Sequence, residues 1–181
     1  TMQEIIVAAN EAGQRLDKML AKYLNEAPKS FLYKMLRKKN IVLNGKKATG
    51  NEKLAVGDSV KLFLADETIA KFSNIHAVHT NVTLDIIYED ENVLLINKPV
   101  GMLSQKAAAD DESLVEHIIS YMLETRQLTE EELRKFRPSV CNRLDRNTSG
   151  LVAAGKSLAG LQEMGTLFKN RSLRKYYRCL V

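Results

Sequence analysis

The chain is 181 residues long, with 27 Lys and Arg, 22 Asp and Glu, 3 His and 2 Cys, enough for one ordinary domain or two small ones. A hydrophobic share of 45% excludes default disorder, no apolar run approaches the roughly 18–20 residues of a membrane span, and the N-terminus lacks the basic-then-apolar layout of a secretory signal. The net charge of +5 is unevenly spread: residues 1–64 hold 12 Lys/Arg against 6 Asp/Glu, residues 65–137 hold 7 against 14, and residues 138–181 hold 8 against 2. Two basic blocks therefore flank an acidic one, either as patches for a polyanion or as solvated Lys-rich surface. Cys141 and Cys179 suit a reducing compartment and have no metal-ligand spacing. The expectation is a cytoplasmic protein whose two thiols are small buried residues.

Leu16, Met19, Leu20, Tyr23 and Leu24 recur at i, i+3, i+4, i+7 and i+8, the stripe of an amphipathic helix. Ser30 is placed to cap a second helix that turns Leu32, Met35 and Leu36 inward. Asn40 follows Arg37, Lys38 and Lys39 as the expected left-handed stop. Residues 41–43 then run into Asn44-Gly45, a strong hairpin signal, and Gly57-Asp58 turns into an alternating strand over 60–64. These elements make one compact unit, residues 1–65. Residues 66–83 show no clean period and read as a linker.

The remainder, residues 84–181, opens with strands over 84–88 and 93–97 joined by an acidic turn and ended by Pro99 and Gly101. Ser113 with Glu116, and Thr129 with Glu132, are capping boxes for two helices. A polar stretch, 142–150, precedes a strand over 151–154. Ser157 can cap a helix carrying Leu158, Leu161 and Phe168, weakened by Gly160 and Gly165. Alternation over 175–181 predicts a closing strand. Strands and helices mix irregularly, so both parts read as α+β: a helix-hairpin domain, then a mixed, mainly antiparallel sheet with flanking helices.

Two constellations could carry chemistry. The first is cationic: Arg15, Lys18, Lys22, Lys34, Arg37, Lys38 and Lys39 lie opposite the apolar stripes, and Lys46 and Lys47 extend that face past the hairpin turn. Several cations on one rigid face suit phosphates, because their counterions are released together; a plain solvated surface is the other reading. The second is Asn142-Arg143-Leu144-Asp145-Arg146-Asn147-Thr148-Ser149-Gly150, where one carboxylate stands between two arginines. Flanking cations favour an ionised carboxylate, as a nucleophile requires, although an ordinary loop salt bridge fits the same residues.

The order of Arg15-Leu16-Asp17-Lys18, Ser30 to Lys39, Val42-Leu43-Asn44-Gly45-Lys46 and Gly57-Asp58 resembles the RNA-binding domain typified by the fourth protein of the small ribosomal subunit. The resemblance implies a grip on structured RNA through phosphate and shape, with Arg15, Lys18, Arg37, Lys38, Lys39, Asn44 and Lys46 in contact. Arg143-Leu144-Asp145 with Thr148-Ser149-Gly150-Leu151-Val152 resembles the signature of the RluA-type pseudouridine synthases. In family order around it stand Leu95-Ile96-Asn97-Lys98-Pro99-Val100-Gly101 and Lys175-Tyr176-Tyr177-Arg178. That resemblance implies Asp145 as catalytic nucleophile, Tyr177 as the tyrosine against the target base, and Arg143 and Arg146 as residues that contact RNA and order the aspartate loop. It also implies a flipped-out uridine, ribosomal RNA of the large subunit or transfer RNA as substrate, no cofactor and no metal, and action as a monomer.

Two departures qualify the likeness. Asn142 stands where the family usually has His. The family's later segment of the Arg-Thr-His-Gln-Ile-Arg kind, whose arginine pairs with the aspartate, has no counterpart before Val181, so the expectation is an incomplete catalytic domain. The competing readings are a non-catalytic RNA-binding protein with a degenerate synthase half, and a hydrolase using Asp145 independently of nucleic acid.

Overall fold

A computed structural model describes residues 2–74 and 79–181. The chain divides into two compact units, residues 1–78 with 122–137, and residues 79–121 with 138–181.

The first unit is built on an antiparallel sheet of β1 (Gln3–Ile6), β2 (Ile41–Leu43), β3 (Lys46–Lys47) and β4 (Ser59–Leu62), in the order β1-β4-β2-β3. Helices α1 (Leu16–Tyr23) and α2 (Lys29–Arg37) belong to the same core. The expected stripe of α1 is buried in full, Leu16, Met19 and Leu20 being wholly inaccessible, together with Ile41, Val60 and Leu62 of the sheet. Each such burial contributes roughly 1.5–3 kcal/mol. The Asn44-Gly45 turn forms as expected, with φ of +50° and +72° between β2 and β3, the values a type I′ turn requires.

Strand β1 was not anticipated, because Gln3 and Glu4 obscure its alternation; it pairs with β4, Ile5 opposite Val60. Helix α2 is started by Pro28, whose carbonyl accepts from Phe31 and Leu32, so Ser30 lies inside the first turn and caps nothing. The helix ends one residue earlier than expected. Lys39, at φ +60°, takes the left-handed position, with Lys39 N donating to Leu36 O and Asn40 N to Met35 O. That is the paired bonding of a Schellman stop. Within the stretch read as a linker, Asp66–Phe72 forms α3: Asp66 and Glu67 suit its positive end, and Ile69 is buried in the core. Residues 75–78 of that stretch lie outside the described residues. The short helix α5 (Glu130–Leu133), opened by the Thr129 capping box, also belongs to this unit.

The second unit is a sheet of β5 (Ile86–Glu89), β6 (Val93–Lys98), β7 (Ser139–Val140) and β8 (Gly150–Gly155), in the order β5-β6-β8-β7 and antiparallel throughout. Helix α4 (Leu114–Glu124) starts at the expected capping box, Ser113 N donating to Glu116 Oε1 at 3.0 Å. Helix α6 (Leu158–Lys169) is capped by Ser157 Oγ, which accepts from Gly160 N. Gly160 has a packing reason inside this helix: a Cβ there would run into the Asn92 carbonyl, so only glycine permits the approach. The mixed α+β reading holds. The closing strand does not form: residues 173–181 carry no assigned element, and Tyr177 is 70% exposed. A strand needs a hydrogen-bonded neighbour, and among the described residues none pairs with it. Burial pushes the half-buried Cys141 thiol up, whereas Cys179 is exposed rather than buried. No helix of the described residues is long and apolar enough to cross a membrane.

Candidate active site

The loop 141–149 connects β7 to β8, and its shape is fixed from three sides within the second unit. At its base, Asn142 Oδ1 accepts from Ala153 N at 2.8 Å and its Nδ2 donates to Leu151 O at 3.2 Å. The side chain thus spans two backbone groups of β8. Ser104 then holds Leu144 twice: its hydroxyl donates to Leu144 O at 2.7 Å and accepts from Leu144 N at 3.0 Å. Beyond Asp145, Gly101 N donates to Arg146 O at 2.7 Å. Gly101 turns the chain at φ +91°, a value that favours glycine. Thr148 N donates to Asp145 O, closing the turn. Backbone clamps therefore lie on both sides of Asp145, while the residue itself is exposed.

Lys98 completes the clamp. It ends β6, where the alternation that buries Leu94 and Ile96 also buries Lys98, which is 0% exposed. Its Nζ donates to Met102 O at 2.7 Å, Pro99 O at 3.1 Å and Arg146 O at 3.5 Å. Burial lowers the Lys98 ammonium below its usual range, and the charge of Asp145 works against that shift. A desolvated cation is costly unless its donors are satisfied; here three carbonyls satisfy them and Asp145 supplies the opposing charge. Sequence reasoning noted the Lys-Pro-x-Gly segment without giving Lys98, Gly101 or Ser104 a role. The period-two pattern Leu94, Ile96, Lys98 was the signal that would have placed the lysine inside.

The other anticipated residues are placed as follows. Arg143 and Arg146 are exposed, and among the described residues neither forms an ion pair with Asp145. Arg146 enters the loop through its carbonyl, which accepts from Gly101 N and Lys98 Nζ. Tyr177 makes no hydrogen bond among the described residues and is not brought to Asp145 by any strand. In the first unit Lys18, Arg37, Lys38, Lys39 and Lys46 are exposed and without an acidic partner among the described residues. Arg15 is engaged: its Nε and Nη2 donate to Asp17 at 3.1 and 2.7 Å, and Tyr33 donates to the same carboxylate. Burial raises the Asp17 carboxyl, but the bonds from Tyr33 and Arg15 outweigh it and hold the group below its usual range. Asn44 is engaged too, with Nδ2 on Asp58 and Oδ1 accepting from Ser59 N.

Residues 92–181 match the family model described as RNA pseudouridylate synthase. Ribosomal large subunit pseudouridine synthase C of Vibrio vulnificus is 30% identical over 185 residues, covering 99% of this chain and 55% of the relative. The protein of the same name in Salmonella typhimurium is 29% identical over 180 residues, covering 98% and 53%. An uncharacterized RNA pseudouridine synthase of Mycoplasma genitalium is 31% identical over 184 residues, covering 98% and 55%. The chain spans about half the length of the curated relatives it matches.

Proposed function

Because the chain belongs to the RNA pseudouridylate synthase family, of the RluA type, we propose that it isomerises uridine to pseudouridine in ribosomal RNA with Asp145 as nucleophile. The observation that carries this reading is the doubly clamped loop, which presents an exposed carboxylate on an immobilised backbone with the buried Lys98 ammonium as its electrostatic counterpart. A nucleophile needs this combination of access and fixed geometry. The glycosidic bond of a stacked uridine is out of reach, so the nucleotide is first turned out of its helix. Asp145 then attacks the anomeric carbon or the sixth position of the base. The bond from sugar to ring nitrogen breaks, the base turns, and a carbon–carbon bond forms at its fifth position. The proton lost there is balanced by one gained at the freed nitrogen, so no oxidant or reductant enters.

The exposed Lys18, Arg37, Lys38, Lys39 and Lys46 of the first unit supply the phosphate grip on structured RNA. Arg15 and Asn44 act there by shaping the unit rather than by contact. Tyr177 and Arg143 keep their assigned roles, stacking on the base and contacting RNA, on the family resemblance alone. Action as a monomer in the cytoplasm completes the reading, as an expectation for an enzyme of ribosomal RNA. Pseudouridine mapping in cells that carry the full-length protein tests the assignment. Asp145→Ala abolishes modification while RNA binding persists; normal modification by that variant removes Asp145 as nucleophile.

A further inference from the structure

The first unit contains a cavity of about 160 Å³ whose walls include Lys22, Tyr23, Asn25, Leu133, Arg134 and Arg137. Its polar lining is dominated by donors. The Arg134 guanidinium lies 3.9 Å from the centroid of the Tyr23 ring, and its side chain is only 14% exposed. One of its terminal nitrogens donates to Ser73 Oγ at 3.0 Å, and the other meets Glu131 at a long 3.5 Å. Its Nε is buried and has no hydrogen-bond partner among the described residues. A buried donor left unpaired is unusual in a folded protein and calls for an explanation, such as a bound ion. Arg137 is exposed at the wall and engages no acidic group among the described residues. Lys22 donates once, to Gln14 Oε1 at 3.0 Å, which leaves two ammonium hydrogens. Burial, and after it the charge of Lys18 one turn away, lower the Lys22 ammonium below its usual range. Glu131, opposite Arg134, is more than half exposed and sits at the weak bond.

Three cations stand against two exposed carboxylates, Glu131 at its long bond and Glu26 on the pocket-lining Asn74, which leaves the site short of negative charge. The geometry points to a phosphate-binding pocket in the first unit, formed by Lys22, Arg134 and Arg137. Guanidinium forks bind phosphate oxygens in pairs, and stacking on Tyr23 holds one fork in place before any ligand arrives. An incoming phosphate meets the Arg134 fork already held on Tyr23 and offsets the repulsion between Lys22 and Lys18. The phosphate is either that of an RNA backbone, in which case the pocket extends the Lys18 face and this source rests on the RNA reading above, or that of a free ion or nucleotide.

The test uses the whole chain, because the pocket joins residues before 75 to residues after 130. Inorganic phosphate is titrated by calorimetry at constant ionic strength into wild type and Arg137→Gln, and structured-RNA affinity is measured over a range of salt. Arg137 is exposed and structurally uncommitted, so its variant folds; Lys22→Gln is a second probe of the same wall. The expected result is saturable phosphate binding by wild type, weakened roughly tenfold by either substitution, the loss of one charge-assisted contact. If the RNA salt slope also falls by about one, the ligand is the RNA backbone. If phosphate affinity falls and the slope stays, the ligand is a free phosphate compound. If both substitutions leave phosphate and RNA binding unchanged, the pocket proposal is overturned and a water fills the place at Arg134. A wild-type protein that ignores structured RNA overturns the RNA reading instead, and the phosphate titration still decides the pocket.

Discussion

Lysine is used in opposite ways in the two units. In the second unit Lys98 is fully buried and its hydrogens are shared among three carbonyls. In the first unit Lys18, Lys38, Lys39 and Lys46 stand in solvent with no acidic partner among the described residues. A desolvated cation becomes part of the architecture, because moving it leaves carbonyls unpaired. A solvated one costs the fold almost nothing and stays available to a polyanion. The contrast separates a region built for rigidity around one carboxylate from a region built for reversible grip.

The largest effect should come from breaking the rigid side. Lys98→Met keeps the length of the side chain and removes its donors, so three carbonyls of the clamp lose a partner. A loss of roughly 2–4 kcal/mol is expected, a few unsatisfied groups partly rehydrated. Urea unfolding followed by circular dichroism measures it, and modification by the full-length variant should fall at least tenfold. An unchanged midpoint would make Lys98 one more surface-like cation and erase the contrast.

On the gripping side, replacing Arg37, Lys38 and Lys39 together with Gln should leave stability near wild type. The logarithmic salt slope of RNA binding should fall by about two to three, with similar weakening for every structured RNA. Binding titrations at several salt concentrations decide this; an indifferent slope moves the RNA face elsewhere.

Acid sharpens the comparison differently. In the second unit His117 is buried, its Nδ1 2.9 Å from Thr80 Oγ1. Burial holds the imidazole below its usual range, and the charges of Glu112 and Glu116 only partly oppose this. The unfolded chain, with a histidine near pH 6.5, therefore binds the proton more readily than the folded one. The stability His117 contributes is complete above about pH 6.5 and is lost as pH falls from there through the lower folded value. Urea midpoints between pH 7.5 and 5 should decline on that flank, and His117→Gln should flatten it.

The smallest expected effect joins the two themes at Lys39, a residue proposed for the RNA grip and held at φ +60°. That conformation costs a side-chain-bearing residue about 1 kcal/mol. Lys39→Gly should raise stability by a little less, because glycine also loosens the unfolded chain, and should lower the salt slope by about one. Stability that falls instead would mean the lysine is fixed by contacts rather than tolerated for its charge.

Much of this was legible in the sequence, and what was not has physical reasons. The helix stripe at Leu16 to Tyr23, the Asn44-Gly45 turn and the capping box at Ser113 depend on neighbours within a turn or two, so local rules found them. Strand β1 depends on a partner more than fifty residues away, and the membership of α5 in the first unit on a longer separation still. No periodicity reports either. The Asp145 motif was visible, but the packing around it was not. Arg143 and Arg146 are neighbours in the chain, yet side chains in irregular backbone need not converge, and the buried cation that braces the loop backbone is Lys98, 47 positions before Asp145. Asn142 was a departure from a familiar pattern and proved to be the brace between the loop and β8.

The central claim is that one region sets the rate and the other the affinity. Single-turnover rates on a target transcript, taken at saturating RNA alongside the dissociation constant, test it with two variants of the full-length protein. Asp145→Asn should lose turnover altogether and bind RNA as wild type does, whereas the Arg37, Lys38 and Lys39 triple variant should bind more weakly and turn over at the normal rate once saturated. Turnover by Asp145→Asn near the wild-type rate, or a saturated triple variant that stays slow, would contradict the account.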